Sequence, residues 1–263
     1  MRKPTGETPR VEARDRARRE PARAGPWADW ATRPGLFRGL DPRDISAIIA
    51  TARHRRVVSR GVFFHQGTPA SALHVLVHGR AKLVQTTAEG HQVVVRIVGP
   101  GDMFGGVALL GDAAYPATAE AISASEALAW PGPQVARLLA RHPALALNAL
   151  RVLADRLGEL QDRYRELATE RVERRVAHAL ARLARQAGRR DERGVRIDMT
   201  LTRQELAELT GTTLYTVSRI LSAWQARGLI DAGRARVVIR DPHGLIAIAE
   251  DLPAGAPAGS REG

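Results

Sequence analysis

The sequence contains no cysteine, and this absence removes several classes of chemistry. It excludes disulfides, thiolate metal sites and cysteine-ligated iron–sulfur clusters. Long uncharged apolar runs are also missing, and no hydrophobic segment follows the arginine-rich N-terminus as it would in a secretory signal. We therefore expect a cytoplasmic protein with no membrane partner.

Acidic residues are few compared with basic ones. Lysine and arginine number 40 against 28 aspartates and glutamates, which gives a formal charge of +12 over 263 residues. This balance favours a polyanionic partner such as nucleic acid, although arginine richness can also reflect genomic base composition. Residues 1–34 combine arginines and prolines with almost no large aliphatic side chains, which predicts a disordered basic arm. The arm is either idle or touches DNA phosphates, and Trp27 and Trp30 could dock its end on the folded body.

The pattern of secondary structure changes twice along the rest of the chain. Asp41 and Pro42 form a good helix start before an isoleucine stripe. Short extended runs punctuated by glycine fill residues 55–130 and predict a compact β-roll or barrel. From Pro133 onward the pattern becomes helical, and the polar segment 188–194 is interpreted as a linker to the last domain.

One predicted helix carries a narrow apolar seam with the alternating three- and four-residue spacing of a coiled coil. A narrow seam prefers another helix to a broad sheet, so it predicts a parallel homodimer; the alternative is packing within one chain, since the seam spans less than three heptads. The seam residues are Leu150, Leu153, Leu157, Leu160, Tyr164 and Leu167.

The segment 202–224 predicts two short helices joined at Gly211. Thr202 and Glu205 have the spacing of a capping box, and a glycine allows the sharp turn of a helix-turn-helix. The second helix leaves a polar face that suits the major groove, where Arg219 can donate two hydrogen bonds to a guanine. An ordinary helical hairpin with a solvated face is the alternative.

A short hairpin is predicted after the second helix. Segment 233–241 has the pattern of a turn followed by a strand, which would form a wing beside the helix-turn-helix. Arg234 and Arg236 at its tip could reach DNA phosphates or could simply be solvated.

A β-roll, a long helix and a winged helix-turn-helix, in that order over residues 35–250, resemble the CRP/FNR superfamily of bacterial transcription regulators. Two motifs carry the resemblance: segment 100–123, PGDMFGGVALLGDAAYPATAEAIS, is similar to the family's phosphate-binding cassette, and segment 201–221, LTRQELAELTGTTLYTVSRIL, is similar to its DNA-reading motif. The resemblance implies an effector pocket lined by the cassette residues Gly105, Gly106, Ala108, Leu109, Pro116, Ala117 and Thr118.

The cassette departs from the family pattern at three positions. Members that bind cyclic nucleotides have a glutamate, an arginine and a serine or threonine where this chain has Gly106, Pro116 and Ala117. Glycine and proline supply neither the charge nor the side-chain donor, so we expect an effector other than cyclic AMP, or none. A haem sensor is a further alternative, because the amino-acid sequence of the recognition helix resembles that of the nitric-oxide-sensing members. His65, in an apolar β segment, is the weak first choice as haem ligand.

The resemblance also assigns roles in DNA binding. Arg219 aligns with the family's guanine-reading arginine and Ser218 with a base-contacting serine, while Tyr215 replaces a glutamate that reads bases. The positions that resemble phosphate-gripping residues at helix N-termini are Thr202, Arg203 and Thr213.

These observations together predict an α+β protein that regulates transcription as a homodimer on palindromic DNA. The expected parts are a disordered arm (1–34), a sensor β-roll (35–132), a dimerisation helix (133–168), a winged helix-turn-helix (169–250) and a flexible tail (251–263). Expected partners are double-stranded DNA, a second copy of the chain and RNA polymerase. The alternatives are a cyclic-nucleotide-type module acting on a protein partner, and a haem-based enzyme, for which the sequence shows no nucleophile elbow or paired metal-ligand motif.

Overall fold

The structure is a computed structural model that describes residues 35–110 and 113–252. The predicted N-terminal arm with Trp27 and Trp30, and most of the predicted tail, lie outside the described residues. The first helix, α1 (Pro42–Ala50), begins as predicted: the Asp41 carboxylate accepts a hydrogen bond from the Arg43 amide at 2.8 Å. Its apolar stripe is buried, so the helix closes one end of the β-roll.

The β-roll consists of two four-stranded antiparallel sheets, ordered β1-β8-β3-β6 and β2-β7-β4-β5. The strands are β1 (Arg53–Val57), β2 (Val62–Phe64), β3 (Ala72–His78), β4 (Ala81–Thr86), β5 (Gln92–Val98), β6 (Met103–Phe104), β7 (Thr118–Ala121) and β8 (Ser125–Pro131). A 3₁₀ helix, Gly106–Leu110, follows β6. Gly67, Gly79, Gly90 and Gly101, which lie between the short extended runs, have positive φ at turns of the roll.

The helical segment after the β-roll consists of two helices rather than the single dimerisation helix predicted over residues 133–168. α2 spans Gly132–Arg141 and α3 spans Pro143–Thr169. The break falls at His142, whose backbone is not helical, because the proline that follows disfavours the helical conformation of the residue before it. The long helix that carries the apolar seam therefore starts at Pro143.

The C-terminal domain combines four helices with a four-stranded sheet ordered β11-β12-β10-β9. Its helices are α4 (Val172–Ala187), α5 (Arg203–Thr210), α6 (Leu214–Ala226) and α7 (Pro242–Ala249). Its strands are β9 (Gly188–Asp191), β10 (Gly194–Ile197), β11 (Ile230–Ala232) and β12 (Val237–Ile239). The predicted wing is the β11–β12 hairpin.

The interpretation of segment 188–194 as a linker is wrong. It forms the β9–β10 hairpin, and β10 pairs with β12 in the same sheet as the wing. The turn is closed by the Asp191 carboxylate, which accepts from the Arg193 amide at 2.8 Å, and by Gly194 with a φ of 125°. All four residues of β9 are exposed and polar or glycine, so the strand lacks the apolar alternation by which a strand is predicted.

The two domains share buried side chains. Val84 and Val94 of the β-roll belong to the same hydrophobic cluster as Leu206 of α5 and Trp224 of α6. Within the described residues, no helix is both long enough and apolar enough to cross a membrane. The predicted α+β architecture is confirmed.

Candidate nucleic-acid interface and effector cavity

The two helices of the helix-turn-helix are held by capping interactions at both of their junctions. At the start of α5 the Thr202 hydroxyl accepts from the Glu205 amide at 3.1 Å, and Glu205 accepts from the Thr202 amide at 2.9 Å, which completes the predicted capping box. Gly211 ends α5 in the left-handed conformation, with φ of 61°. The Thr213 hydroxyl then caps α6 by accepting from the Thr216 amide at 3.2 Å.

The second helix, α6, is anchored by an apolar face and presents a polar one. Val217, Leu221 and Trp224 are fully buried, and the Trp224 indole N–H donates to Glu173 of α4 at 2.8 Å. Tyr215 is 77% exposed at the start of the helix, Arg219 is exposed and Ser218 is half-buried. The three residues predicted to read bases are therefore accessible on one helix.

The residues predicted to contact phosphates differ in what they can offer. The Thr202 hydroxyl already donates to Glu205 Oε2 at 2.9 Å and accepts from the Glu205 amide, so no hydrogen of this hydroxyl is free for a phosphate. Arg203 is half-buried at the first position of α5, and Thr213 is exposed at the N-cap of α6. Helix N-termini favour anions because their amides and dipole point toward the ligand.

The wing places both of its predicted arginines in solvent. Arg234 and Arg236 are exposed beside the turn, which is closed by the Gly233 amide donating to the Arg236 carbonyl at 2.8 Å. Arg236 lies 3.9 Å from Asp231, a contact with little effect on so exposed an arginine.

A second site lies in the β-roll, where a cavity of about 230 Å³ is covered by α3. Four of the predicted cassette residues line it: Gly105, Gly106, Pro116 and Ala117. The other three do not: Ala108 is buried, Leu109 packs in the core beneath α1, and the Thr118 hydroxyl accepts from the Gln66 amide at 3.0 Å. The remaining lining is Phe64, Leu83, Arg96, Met103, Phe104, Val107, Tyr115, Val152, Leu153 and Arg156.

The two cassette glycines that line the cavity, Gly105 and Gly106, differ in whether a side chain would fit at their position. Gly105 has φ of 72°, and a Cβ there would come within 3.0 Å of the Ala72 carbonyl oxygen, so a side chain does not fit. A Cβ on Gly106 would have no neighbour closer than 3.9 Å. A Cβ therefore fits at Gly106, so the backbone and its neighbours do not require glycine at this position.

An ionic cluster at one end of the cavity was not predicted from the sequence. Asp102 Oδ1 lies 2.6 Å from Arg156 Nη2 and 3.1 Å from Arg96 Nη2. Burial lowers the pKa of the Arg96 guanidinium, and the nearby Asp102 carboxylate opposes that shift. The signal that could have revealed this site is a charged residue inside the otherwise apolar run of β5, where burial demands a partner.

The haem alternative does not fit this cavity. Pockets for drug-sized ligands occupy roughly 300–1,000 Å³, and a haem is larger than most of those ligands. The cavity has about 230 Å³, and none of the described residues that line it is a histidine. His65, the weak haem candidate, is exposed and does not line it.

The predicted dimer seam is exposed along α3. Its six residues are between 51% and 75% exposed in the single chain, from Leu153 and Leu167 at the lower end to Tyr164 at the upper end. An apolar stripe of this length in water is typical of a surface covered by another chain. Leu153 lies both on the seam and in the cavity wall, so the cavity and the seam share a side chain.

Partly buried polar contacts connect the β-roll, α3 and the helix-turn-helix. Arg163 of α3 donates to the carbonyls of Val94 and Val95 in β5 and, at 2.9 Å, to the carbonyl of Leu209 in α5. Lys82 of β4 donates to Glu205 of the capping box at 3.1 Å. A shift of α3 against the β-roll would therefore displace the hydrogen-bonding groups that hold the start and the end of α5.

Comparison with known proteins agrees with this architecture. The family profile "Cyclic nucleotide-binding domain" matches residues 54–142, and "Crp-like helix-turn-helix domain" matches residues 174–248. The chain is 32% identical over 206 residues to a Thermus thermophilus protein described as "Cyclic AMP receptor protein", covering 78% of this chain and 92% of that one. A "CRP-like cAMP-activated global transcriptional regulator" of Mycobacterium tuberculosis is 28% identical over 213 residues, covering 81% of this chain and 95% of the relative.

Solved structures give the same result. The crystal structure of a CRP-family transcriptional regulator from Thermus thermophilus has a TM-score of 0.66 and 28% sequence identity, covering 74% of this chain and 96% of that chain. Because both domains, their order and the full-length relatives agree, the chain belongs to the CRP/FNR family of DNA-binding transcription regulators.

Proposed function

We propose that two copies of this chain bind a palindromic DNA site and insert their α6 helices into successive major grooves. Arg219 would read a guanine, with Ser218 and Tyr215 contacting neighbouring bases. The observation that carries this proposal is the division of α6 into a fully buried apolar face and an accessible face with these three side chains. Such a helix can enter a groove without unpacking its own domain.

Contacts to the DNA backbone would flank the recognition helix. Arg203 and Thr213 lie at the starts of α5 and α6, where free amides favour a phosphate, and the exposed wing arginines Arg234 and Arg236 supply positive charge. Thr202 would contribute by capping α5 rather than by holding a phosphate, because its hydroxyl and its amide both donate to Glu205. These contacts position the protein and add salt-dependent affinity.

The homodimer would form through the seam on α3, with two helices packing in parallel. Residues 35–132 would serve as the sensor, α3 as the dimer helix, and the domain from α4 to α7 as the DNA reader. An effector in the cavity would contact α3 directly, because Val152, Leu153 and Arg156 belong to its wall. A change at this wall would alter the helix pairing and thus the distance between the two recognition helices.

We propose that the effector is not cyclic AMP, although two relatives are described as cyclic AMP regulators. Gly106 and Pro116 offer no group that could bind a ribose hydroxyl or a phosphate through a side chain. The protein would act in the cytoplasm, where its DNA is, and as an activator it would also touch RNA polymerase. We infer no catalytic role.

Selection from a pool of random duplex DNA tests the function. Repeated rounds of binding to the full-length protein should enrich a palindrome whose half-sites lie about 10 base pairs apart from centre to centre. The same selection with Arg219→Ala should lose enrichment of one base pair in each half-site. A regulatory module that acts on a protein partner would enrich no sequence at all, which would contradict the proposal.

A further inference from the structure

The first turn of the recognition helix α6 exposes an apolar side chain. Leu214 is 46% exposed and Tyr215 is 77% exposed, and they are the first two residues of the helix. A single exposed leucine is ordinary on a protein surface and needs no explanation by itself. This leucine, however, lies at the N-terminal end of the helix that is proposed to enter the major groove, and the N-terminal residues of a recognition helix contact base edges.

The polar side chains around this turn bind mainly to each other. The Thr213 and Thr216 hydroxyls are hydrogen-bonded to each other at 2.9 Å, and the Thr213 hydroxyl also accepts from the Thr216 amide at 3.2 Å. None of residues 213–216 is charged. The turn therefore has few groups that could read the hydrogen-bonding pattern of a base, and Leu214 gives it an apolar surface instead.

Leu214 adjoins the residues that are proposed to read bases. It precedes Ser218 by four residues, about one helical turn, so the two side chains are neighbours on the helix surface. Tyr215 has the same relation to Arg219. Val217, three residues after Leu214, is fully buried. Leu214 therefore lies at the border between the buried face of α6 and the face that would meet DNA.

Thymine is the base that presents an apolar group in the major groove. All four bases show hydrogen-bond donors or acceptors there, and thymine adds its C5-methyl group. We infer that Leu214 contacts this methyl group and determines specificity for a thymine in each half-site. From Leu214 to Arg219 the helix rises about 7–8 Å, roughly two base-pair steps, so the thymine should lie within about three base pairs of the guanine read by Arg219. This inference rests on the DNA-reading role proposed for α6.

Replacement of thymine by uracil in the selected palindrome tests the inference, because uracil lacks only the methyl group. The guanine is the base whose enrichment is lost with Arg219→Ala, and each thymine near it is replaced in turn, in both half-sites. Fluorescence anisotropy then measures the affinity of the full-length protein. Loss of one methyl contact should weaken binding about fourfold per half-site, and roughly fifteenfold for both half-sites. Replacement of thymines in the flanking DNA should leave binding unchanged.

Three variants test whether the methyl contact belongs to Leu214. Leu214→Ala removes the atoms beyond Cβ, so it should bind the thymine and uracil duplexes with nearly equal affinity. Leu214→Met keeps a flexible apolar side chain and should keep the preference for thymine. The control Leu252→Ala truncates a leucine that is 51% exposed and lies outside α6, and it should behave as the wild type. A merely structural role of Leu214 would weaken binding to both duplexes equally and preserve the preference for thymine.

Three results would each overturn the inference: a selected site with no thymine near the guanine, equal binding of the wild type to thymine and uracil duplexes, or a thymine preference that survives in Leu214→Ala. These results would leave the DNA-reading proposal in place, because the palindrome and the effect of Arg219→Ala are observed independently. A pool in which no sequence is enriched would overturn both proposals together.

Discussion

At the scale of single residues, Arg219 carries the proposed sequence recognition. It is exposed on α6, whose opposite face is buried around Trp224. Arg219→Ala should cost about 1–3 kcal/mol of binding free energy on the selected site and relax discrimination at one base pair. Competition mobility-shift assays with selected and random duplexes measure this. Arg190→Gln, on the exposed strand β9, serves as the control for lost positive charge, and an equal loss on both duplexes would argue for a phosphate contact.

His74 should make the stability of the β-roll depend on pH. The ring is buried against Phe63 and Phe104, and burial, followed by the positive charge of Arg55, lowers its pKa from 6.5 to about 3. Between these two values the unfolded chain binds a proton that the folded chain does not, so stability falls as pH falls below 6.5.

The size of this dependence of stability on pH follows from the difference between the pKa of His74 in the unfolded chain and its pKa in the folded chain. From pH 8 to pH 5 the loss of unfolding free energy attributable to His74 should be about 2 kcal/mol. Urea unfolding of the wild type and of His74→Leu at both pH values measures it, because the other histidines are common to both proteins. The variant should lose about 2 kcal/mol less than the wild type on acidification, and parallel losses would show that His74 titrates normally.

At the scale of elements, the turn between α5 and α6 depends on a left-handed glycine. Gly211 has φ of 61°, and a Cβ there would lie 3.0 Å from Leu167 Cδ2 on the dimer seam. Gly228, after α6, has φ of 73° with no atom within 4 Å of its Cβ position. In both alanine variants the free energy of unfolding should therefore fall by about 1–2 kcal/mol, because alanine is unfavourable in the left-handed conformation. Thermal unfolding should show a larger loss of stability for Gly211→Ala than for Gly228→Ala. An equal or smaller loss would mean that the Leu167 side chain moves aside at no cost.

The elements that could be predicted from sequence are those with a local signal. The capping box at Thr202, the left-handed Gly211 and the apolar face of α6 each follow from residues a few positions apart. The β9–β10 hairpin was missed because β9 is an exposed edge strand with no apolar residue, so pairing with β10 alone defines it. The break between α2 and α3 has a local cause, which is the proline that follows His142. It was not predicted because the residues on both sides of it have a strongly helical pattern.

The cavity could be predicted only in part. The cassette motif identified Gly106 and Pro116, which line the cavity. The ionic cluster, however, joins β5 and the nearby turn before β6 to the distant helix α3. No spacing rule connects Arg96 to Arg156, because their proximity depends on how α3 crosses the β-roll. Long-range packing of this kind leaves no periodic trace in a single sequence.

At the scale of the whole molecule, the seam on α3 should hold the dimer. Leu157→Glu removes two apolar side chains per dimer, and full burial of a leucine contributes about 1.5–3 kcal/mol, so the dimer should weaken by roughly 3–6 kcal/mol. The dissociation constant should rise by about a hundredfold or more, as measured by sedimentation velocity. Asp155→Lys changes an exposed charge on the same helix away from the seam and should leave the dimer intact. A Leu157→Glu protein that stays dimeric would place the interface elsewhere.

The most direct test of the central claim is native mass spectrometry of the protein with its selected duplex and with a duplex in which one half-site is scrambled. Two chains should bind each intact palindrome, even when protein is limiting, because the α3 helices pair before both α6 helices bind. On the scrambled duplex the complex should be weaker but still contain two chains. A complex with one chain per duplex would contradict the proposal that a homodimer binds the palindrome and that α3 forms the dimer interface.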